Sequence, residues 1–221
     1  MGSGPTTTPQ TVCELCHGEG YVVADRDERG FIRYMRPCEC QRSERIRRRI
    51  PSRYVHARLS DFKLSTRESV TAWLRDKQSP GLFLYGPVGT GKTHLAYAIL
   101  RALLEDGQNA LAVSAANFYR ELRSAFNSEQ NEETIFGKYV GVPWLMFDDA
   151  GAGALSDFER RTLLDLLDRR ASLKTIITSN LTVEEFGKRL DERIGSRLSE
   201  FLLFHCGGTD RRAKRNQQAA I

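Results

Sequence analysis

The sequence predicts an α/β fold in which a mainly parallel sheet carries helices on both faces, with a small cysteine-bearing hairpin ahead of it. Three observations predict it. Short apolar runs alternate with helix-like segments across residues 82–206, the pattern of strands joined by crossover helices. A glycine loop, Gly86 to Thr93, sits between one such run and one such helix. Four of the five cysteines, Cys13, Cys16, Cys38 and Cys40, fall near the N-terminus.

With 221 residues the chain has room for one ordinary domain and an appendage. Residues are 40% hydrophobic and 28% charged, a globular composition. No apolar run approaches the roughly 18 residues of a membrane span, so no membrane partner is expected. The first ten residues, MGSGPTTTPQ, lack the charged start and apolar stretch of a secretory signal. They read as a flexible segment, 1–10, and the cytoplasm is the expected compartment. Lys and Arg exceed Asp and Glu by 33 to 28, a net charge of +5, which allows a nucleic-acid partner without requiring one.

The cysteine segment, 11–41, begins CELCHGEG. C-x-x-C-H is also a haem-attachment pattern, but that chemistry belongs outside the cytoplasm, where this chain is not expected. A chaperone zinc domain would repeat C-x-x-C-x-G-x-G several times, and the pattern occurs here once. Between the cysteine pairs, Tyr21–Val23 and Phe31–Met35 are β-prone runs around the turn-forming DRDERG, so a hairpin returns Cys38 and Cys40 to Cys13 and Cys16. Four thiolates then suit a closed, structural Zn²⁺ site. Gly18 and Gly20 permit backbone N–H groups to face the sulfurs, and His17 ranks behind Cys40 as an alternative ligand. Residues 42–60 read as a basic linker, with six arginines and one glutamate between Arg42 and Arg53.

The chemistry is written most plainly in LFLYGPVGTGKTHLAYAIL. Leu82–Tyr85 is an apolar strand, Gly86, Pro87, Val88, Gly89, Thr90, Gly91, Lys92 and Thr93 match G-x-x-x-x-G-K-[ST], and His94, early in the helix that follows, is a further candidate nucleotide-binding residue. Glycines let backbone amides wrap phosphates, Lys92 reaches the outer phosphates, and the Thr93 hydroxyl suits Mg²⁺. A triphosphatase also needs an acidic residue at the end of a second strand. In VPWLMFDDAG Asp148 is the expected metal-side carboxylate and Asp149 the base or water-positioning one. Asp149 is a methylene shorter than glutamate, which predicts slow hydrolysis and an ATP-state switch. Ser156 with Glu159, and Thr182 with Glu185, form capping boxes that open two helices. Between them KTIITSN is a buried strand whose end places Asn180 to sense the γ-phosphate or orient water. Arg193 and Arg197, one turn apart on the last helix, are candidates to reach a neighbour's triphosphate.

GPVGTGKTHLAYAI, FDDAG, TSN, ERIGSRL and GGTDRRAKR, in this order and preceded by IPSRYVHARLSDF, resemble the AAA+ ATPases of the bacterial helicase-loader group, the DnaC/DnaI-like proteins and their IstB relatives. The resemblance covers residues 50–213 and implies an AAA+ domain, 61–213, with a mainly parallel five-stranded sheet, followed by a flexible tail, 214–221. It implies that ATP and Mg²⁺ bind at Lys92, Thr93 and Asp148, with Asp149 completing the Walker B pair and Asn180 as sensor 1. Arg197, with Arg193 second, would be the arginine finger, and Arg212 or Arg211 the sensor 2 arginine. Partners follow: a hexameric replicative DNA helicase, single-stranded DNA contacted around Phe126 and Ser156–Phe158, and further copies of the chain across ATP-bridged interfaces.

Three functions are compatible with this reading. The first is a helicase loader, because the cysteine segment resembles the zinc-binding, helicase-contacting domain of DnaI-type loaders. The second is an IstB-like regulator of a transposase, whose usual N-terminal segment lacks cysteines. The third is a zinc adaptor whose nucleotide only stabilises the fold. Cys206, in the last strand beside Phe204 and His205, reads as core.

Overall fold

A computed structural model describes residues 13–76, 78–126, 131–151 and 153–208. The expected flexible ends, 1–10 and 214–221, lie outside the described residues, as do Arg211 and Arg212 and the side chain of Phe126.

The N-terminal hairpin forms as the β-prone runs require: β1 (Tyr21–Arg26) pairs antiparallel with β2 (Ile32–Pro37). Asp27 closes the turn, its carboxylate accepting the N–H groups of Arg29 and Phe31, each at 2.9 Å. Helix α1 (Cys40–Arg49) follows directly. Two short 3-10 turns, Ser52–Tyr54 and Leu59–Asp61, then lead to α2 (Leu64–Arg75).

The main sheet is built from β3 (Gly81–Tyr85), β4 (Ala110–Ser114), β5 (Trp144–Ala150), β6 (Lys174–Ser179) and β7 (Leu202–His205). Its spatial order is β4-β5-β6-β3-β7 and every neighbouring pair is parallel. Crossovers run through α3 (Lys92–Glu105), α4 (Ala115–Phe126) with α5 (Glu132–Val140), α6 (Asp157–Arg169), and α7 (Val183–Arg189) with α8 (Glu192–Ser199). The expected α/β architecture of five parallel strands behind a hairpin is thus present.

Alternation along the strands divides the core. Leu82, Leu84, Met146 and Ile176 face one layer with α1, α2 and α3, while Phe83, Phe147 and Ile177 face the other with α4 to α8, as the two-residue period of a strand dictates. Both capping boxes form: Ser156 Oγ accepts from Glu159 N at 3.3 Å and Thr182 Oγ1 from Glu185 N at 3.2 Å, and each glutamate bonds back to the capping residue's N–H. Gly187 and Gly195 let α7 and α8 approach closely, since a Cβ on Gly195 would lie 2.9 Å from the Cα of Gly187.

Within the stretch 42–60, expected as a basic linker, Ile46, Ile50 and Ala57 are buried while Arg47, Arg48, Arg53 and Arg58 are exposed. Ile46 and Ile50, one helical turn apart, are buried in the layer with α3. Arg45 donates to the carbonyl of Leu104 at 2.8 Å and Arg49 to that of Ala110 at 3.3 Å. Arg101 in turn donates to the carbonyl of Val55. Arg45 thus meets a carbonyl of the last turn of α3, where the helix dipole favours positive charge. Among the described residues, no helix is long and apolar enough to cross a membrane.

Candidate functional site

The carboxyl ends of β3, β5 and β6 meet at one edge of the sheet, where open α/β sheets bind ligands. The loop between β3 and α3 occupies it. Gly86, Gly89 and Gly91 have φ of 139°, 80° and 99°, values that disfavour any side chain. A Cβ on Gly86 would lie 2.4 Å from the carbonyl oxygen of Cys206, so the loop and the residue that follows β7 touch backbone to backbone. Cys206 is buried there and donates its N–H to Tyr85 at 2.7 Å. The Thr90 hydroxyl donates to the carbonyl of Pro87 at 2.9 Å and holds the loop closed.

Lys92 is the first residue of α3 and is buried. Its ammonium donates to the carbonyls of Gly86 and Pro87, both at 2.7 Å. The positive charge is therefore drawn into the curl of the loop, beside a helix N-terminus that also favours anions. Pro87 and Val88 are exposed at the tip.

Opposite the loop, Thr93 donates from Oγ1 to Asp148 Oδ1 at 2.9 Å. Asp148 is buried at the end of β5, and burial raises its pKa despite hydrogen bonds from Thr178 and Thr93. A buried carboxylate and a hydroxyl side by side make the kind of hard oxygen set that Mg²⁺ takes together with phosphate oxygens and water. Asp149 is exposed and has a φ of 59°, so the chain turns it out from the strand. Asn180 follows β6 directly and is exposed. The register Tyr85↔Ser179 brings it beside Gly86.

The other expected residues have different surroundings. His94 Nε2 lies 2.8 Å from Asp61 Oδ2 and its ring meets Phe62. Arg193 pairs with Asp191 at 3.0 Å and Arg197 with Asp168 at 2.5 Å, so within one chain these two meet carboxylates other than Asp148 and Asp149. Both stand on the exposed face of α8, which leaves them open to a neighbouring molecule.

Two residues escaped the sequence reading. Thr178 bonds to both Asp148 and Asp149; its place two residues before Asn180 was the available signal. Arg53 lies over the ring of Tyr54, 4.6 Å from its centroid, and Tyr54 stacks on Tyr97 of α3 at 4.5 Å. The Arg53 charge acts on Asp148, so the segment ahead of α2 contributes to the field of the site.

The cysteine cluster is a second centre. Cys13 and Cys38 Sγ are 3.7 Å apart, Cys16 and Cys40 Sγ are 3.4 Å apart, and all four lie within 4.8 Å of one another. Four sulfurs at the usual bond length around zinc would be separated by about 3.8 Å, whereas a disulfide needs about 2.0 Å. The donor set therefore fits Zn²⁺. The N–H groups of Gly20 and Gly18 bond to Cys16 and bring its thiol down to about 7, while the shared bond with Cys16 pushes Cys40 up to about 12. Cys40 is also the first residue of α1, so the cluster is joined to the helix that packs on α3.

A family profile described as IstB-like ATP binding protein matches residues 15–217. The replicative helicase loader DnaC of Escherichia coli (strain K12) is 34% identical over 116 residues, 51% of this chain and 47% of that protein. The insertion-sequence IS1162 protein of Pseudomonas fluorescens, named for ATP binding, is 32% identical over 152 residues, 64% of each chain. This chain thus spans about half the length of the DnaC relatives it matches. Among solved structures, DnaI superposes with a TM-score of 0.63 at 25% identity, covering 72% of this chain and 95% of that one. Nucleotide-bound DnaA from Aquifex aeolicus gives 0.62 at 19% identity over 75% and 56%, a likeness of fold.

Proposed function

The chain belongs to the IstB-like ATP-binding protein family, and from that premise we propose that it is an ATP-dependent loader of a ring-shaped replicative DNA helicase onto single-stranded DNA. The observation that carries this reading is the four-cysteine cluster joined through α1 to the helix that starts at Lys92. A partner held at the hairpin would be linked mechanically to the nucleotide site. The N-terminal module displays exposed apolar side chains, Leu15 beside the cysteines and Phe31 and Tyr34 on the hairpin, at 69%, 69% and 60%. Apolar groups so displayed favour protein contact.

In this reading ATP is the substrate, cradled by the amides of Gly86 to Thr93, and Lys92 exchanges its loop carbonyls for phosphate oxygens. Thr93 and Asp148 hold Mg²⁺, which when bound offsets phosphate charge. Asp149 accepts the proton of the attacking water or orients it, and Asn180 contributes a side-chain amide at the same edge. Arg197, or Arg193, reaches the site of a neighbouring copy, leaving its own aspartate partner. Arg211 or Arg212 supplies a positive charge in cis. The short reach of Asp149 fits slow turnover, so that the bound state rather than speed carries the signal. Cys13, Cys16, Cys38 and Cys40 hold Zn²⁺ as a structural ion.

Regulation of a transposase is the second reading, favoured by the 64% mutual coverage with the IS1162 protein. Native mass spectrometry with the replicative helicase of the same source, with and without ATP and Mg²⁺, separates the two. A helicase ring carrying several zinc-loaded copies is the expected result. A bare ring, alongside protein that still binds zinc and ATP, would transfer the assignment to transposition. The Lys92→Ala variant tests the adaptor alternative, since an adaptor would retain full activity without the lysine.

A further inference from the structure

We propose that Thr178 is a positioning residue for the Asp148–Asp149 pair, its hydroxyl pinning the bulge that turns Asp149 out of β5. The inference deepens the reading of this edge as an ATPase site and rests on it.

β5 and β6 pair in register through Phe147↔Ile177 and resume at Ala150↔Ser179. Two residues of β5, Asp148 and Asp149, therefore stand against the single residue Thr178. This is a β-bulge, a device that re-aims side chains beside active sites. Thr178 is 1% exposed, and its Oγ1 accepts the N–H of Asp149 at 2.9 Å and donates to Asp148 Oδ1 at 2.7 Å. A hydroxyl has one proton. Because an N–H group occupies one lone pair and a carboxylate can only accept when ionised, that proton is committed to Asp148.

Each bond has its own consequence. The first satisfies the N–H of Asp149, whose φ of 59° is a conformation that a residue with a Cβ seldom adopts. The second, together with the bond from Thr93, gives Asp148 Oδ1 two donors and fixes the carboxylate plane. Ser179 secures the far side of the bulge by donating from Oγ to the carbonyl of Ala150 at 2.7 Å. The run Thr178-Ser179-Asn180 thus anchors the bulge with two hydroxyls before presenting Asn180 at the open edge.

A pin of this kind acts on turnover and not on capture of the nucleotide, which the loop and Lys92 perform. The experiment is steady-state ATP hydrolysis by the full chain with Mg²⁺ and single-stranded DNA, comparing the parent protein with Lys92→Ala, Thr178→Val, Thr178→Ala and Thr178→Ser, with thermal melts of each. Loss of the hydroxyl should lower kcat by roughly 10- to 100-fold, the usual range for a residue that orients a ligating group, with KM for ATP nearly unchanged. Thr178→Ser should restore most of the rate. Parent-like kcat in Thr178→Val or Thr178→Ala, or a Thr178→Ser protein as slow as they are, would overturn the proposal. Failure of both hydroxyl-free variants to fold would also overturn it, assigning Thr178 to stability alone. If the parent hydrolyses no faster than Lys92→Ala, the ATPase reading itself fails and takes this inference with it.

Discussion

Thr93 Oγ1 and Asp148 Oδ1, on the helix that follows the glycine loop and on the second strand beyond it, are 2.9 Å apart. This contact joins the phosphate-binding half of the site to its acidic half. It also places a carboxylate in a buried position, where ionisation is costly, and burial raises the Asp148 pKa. A carboxyl whose folded pKa is raised binds its proton more tightly in the folded than in the unfolded state. Its contribution to stability is therefore present at low pH and lost as pH rises through the raised value.

At pH 7 the ionised Asp148 should thus cost stability in nucleotide-free protein. Asp148→Asn is expected to raise Tm, by roughly 2–4 °C for each kcal/mol relieved in a chain of this size, while removing only the part of the ATP stabilisation that depends on Mg²⁺. Differential scanning calorimetry with EDTA and with Mg²⁺-ATP checks both arms. A lower Tm for the variant in EDTA would show that the buried Asp148 carboxylate stabilises the fold.

Arg170 makes a prediction about the fold behind the site. It is 2% exposed and donates to the carbonyls of Tyr139, Val140, Val142 and Lys174 and to the Thr175 hydroxyl, at 2.7–2.9 Å. Burial lowers its pKa to about 10, which still leaves it charged at neutral pH. Arg170→Met should cost at least about 3 kcal/mol in urea unfolding, because the end of α5 and the start of β6 lose their shared donors. A cost below about 1 kcal/mol would show that water replaces the guanidinium.

Removal of zinc should loosen the N-terminal module and spare the sheet. Purified protein is expected to carry one Zn²⁺ per chain, released by Cys16→Ser or by a strong chelator. Hydrogen exchange should then accelerate across β1 and β2 while β3, β5 and β6 stay protected. Zinc-free protein with a protected hairpin would refute the assignment of the four cysteines.

Arg197 should matter only between molecules. Its partner Asp168 is also partly exposed, and ion pairs of that kind contribute little to stability. Arg197→Ala is therefore expected to keep its Tm and its ATP affinity but lose the assembly-dependent part of hydrolysis, on the order of 10³-fold for a transferred arginine finger. Mixing Arg197→Ala with Lys92→Ala should recover some activity, since each supplies what the other lacks. No recovery, with Arg193→Ala behaving as Arg197→Ala was expected to, would exchange their roles.

The features legible in the sequence are those written in local chemistry. The loop from Gly86 to Thr93 needs glycines at fixed steps, the capping boxes need Ser156 with Glu159 and Thr182 with Glu185, and the hairpin needs DRDERG between two β-prone runs. The features missed depend on partners distant in the chain. Arg45 and Arg49 read as part of a solvated basic run because nothing nearby reveals the carbonyls of Leu104 and Ala110. Arg170, at the end of a Leu-rich helix, carries no local sign of the five acceptors, from residues 139–142 and 174–175, that surround it. Thr178 is an ordinary β-branched residue in a strand, and its role exists only through the bulge opposite.

In the proposed function, ATP binding at this edge drives the opening or placing of a helicase ring, and a closed circle of single-stranded DNA reads that step out. A preformed ring can enter such a circle only by opening. Helicase from the same source should be retained on the circle through gel filtration when this protein and ATP are present, and not when Lys92→Ala replaces it. Equal retention with and without the protein, or with Lys92→Ala, would rule out ATP-dependent loading at this site.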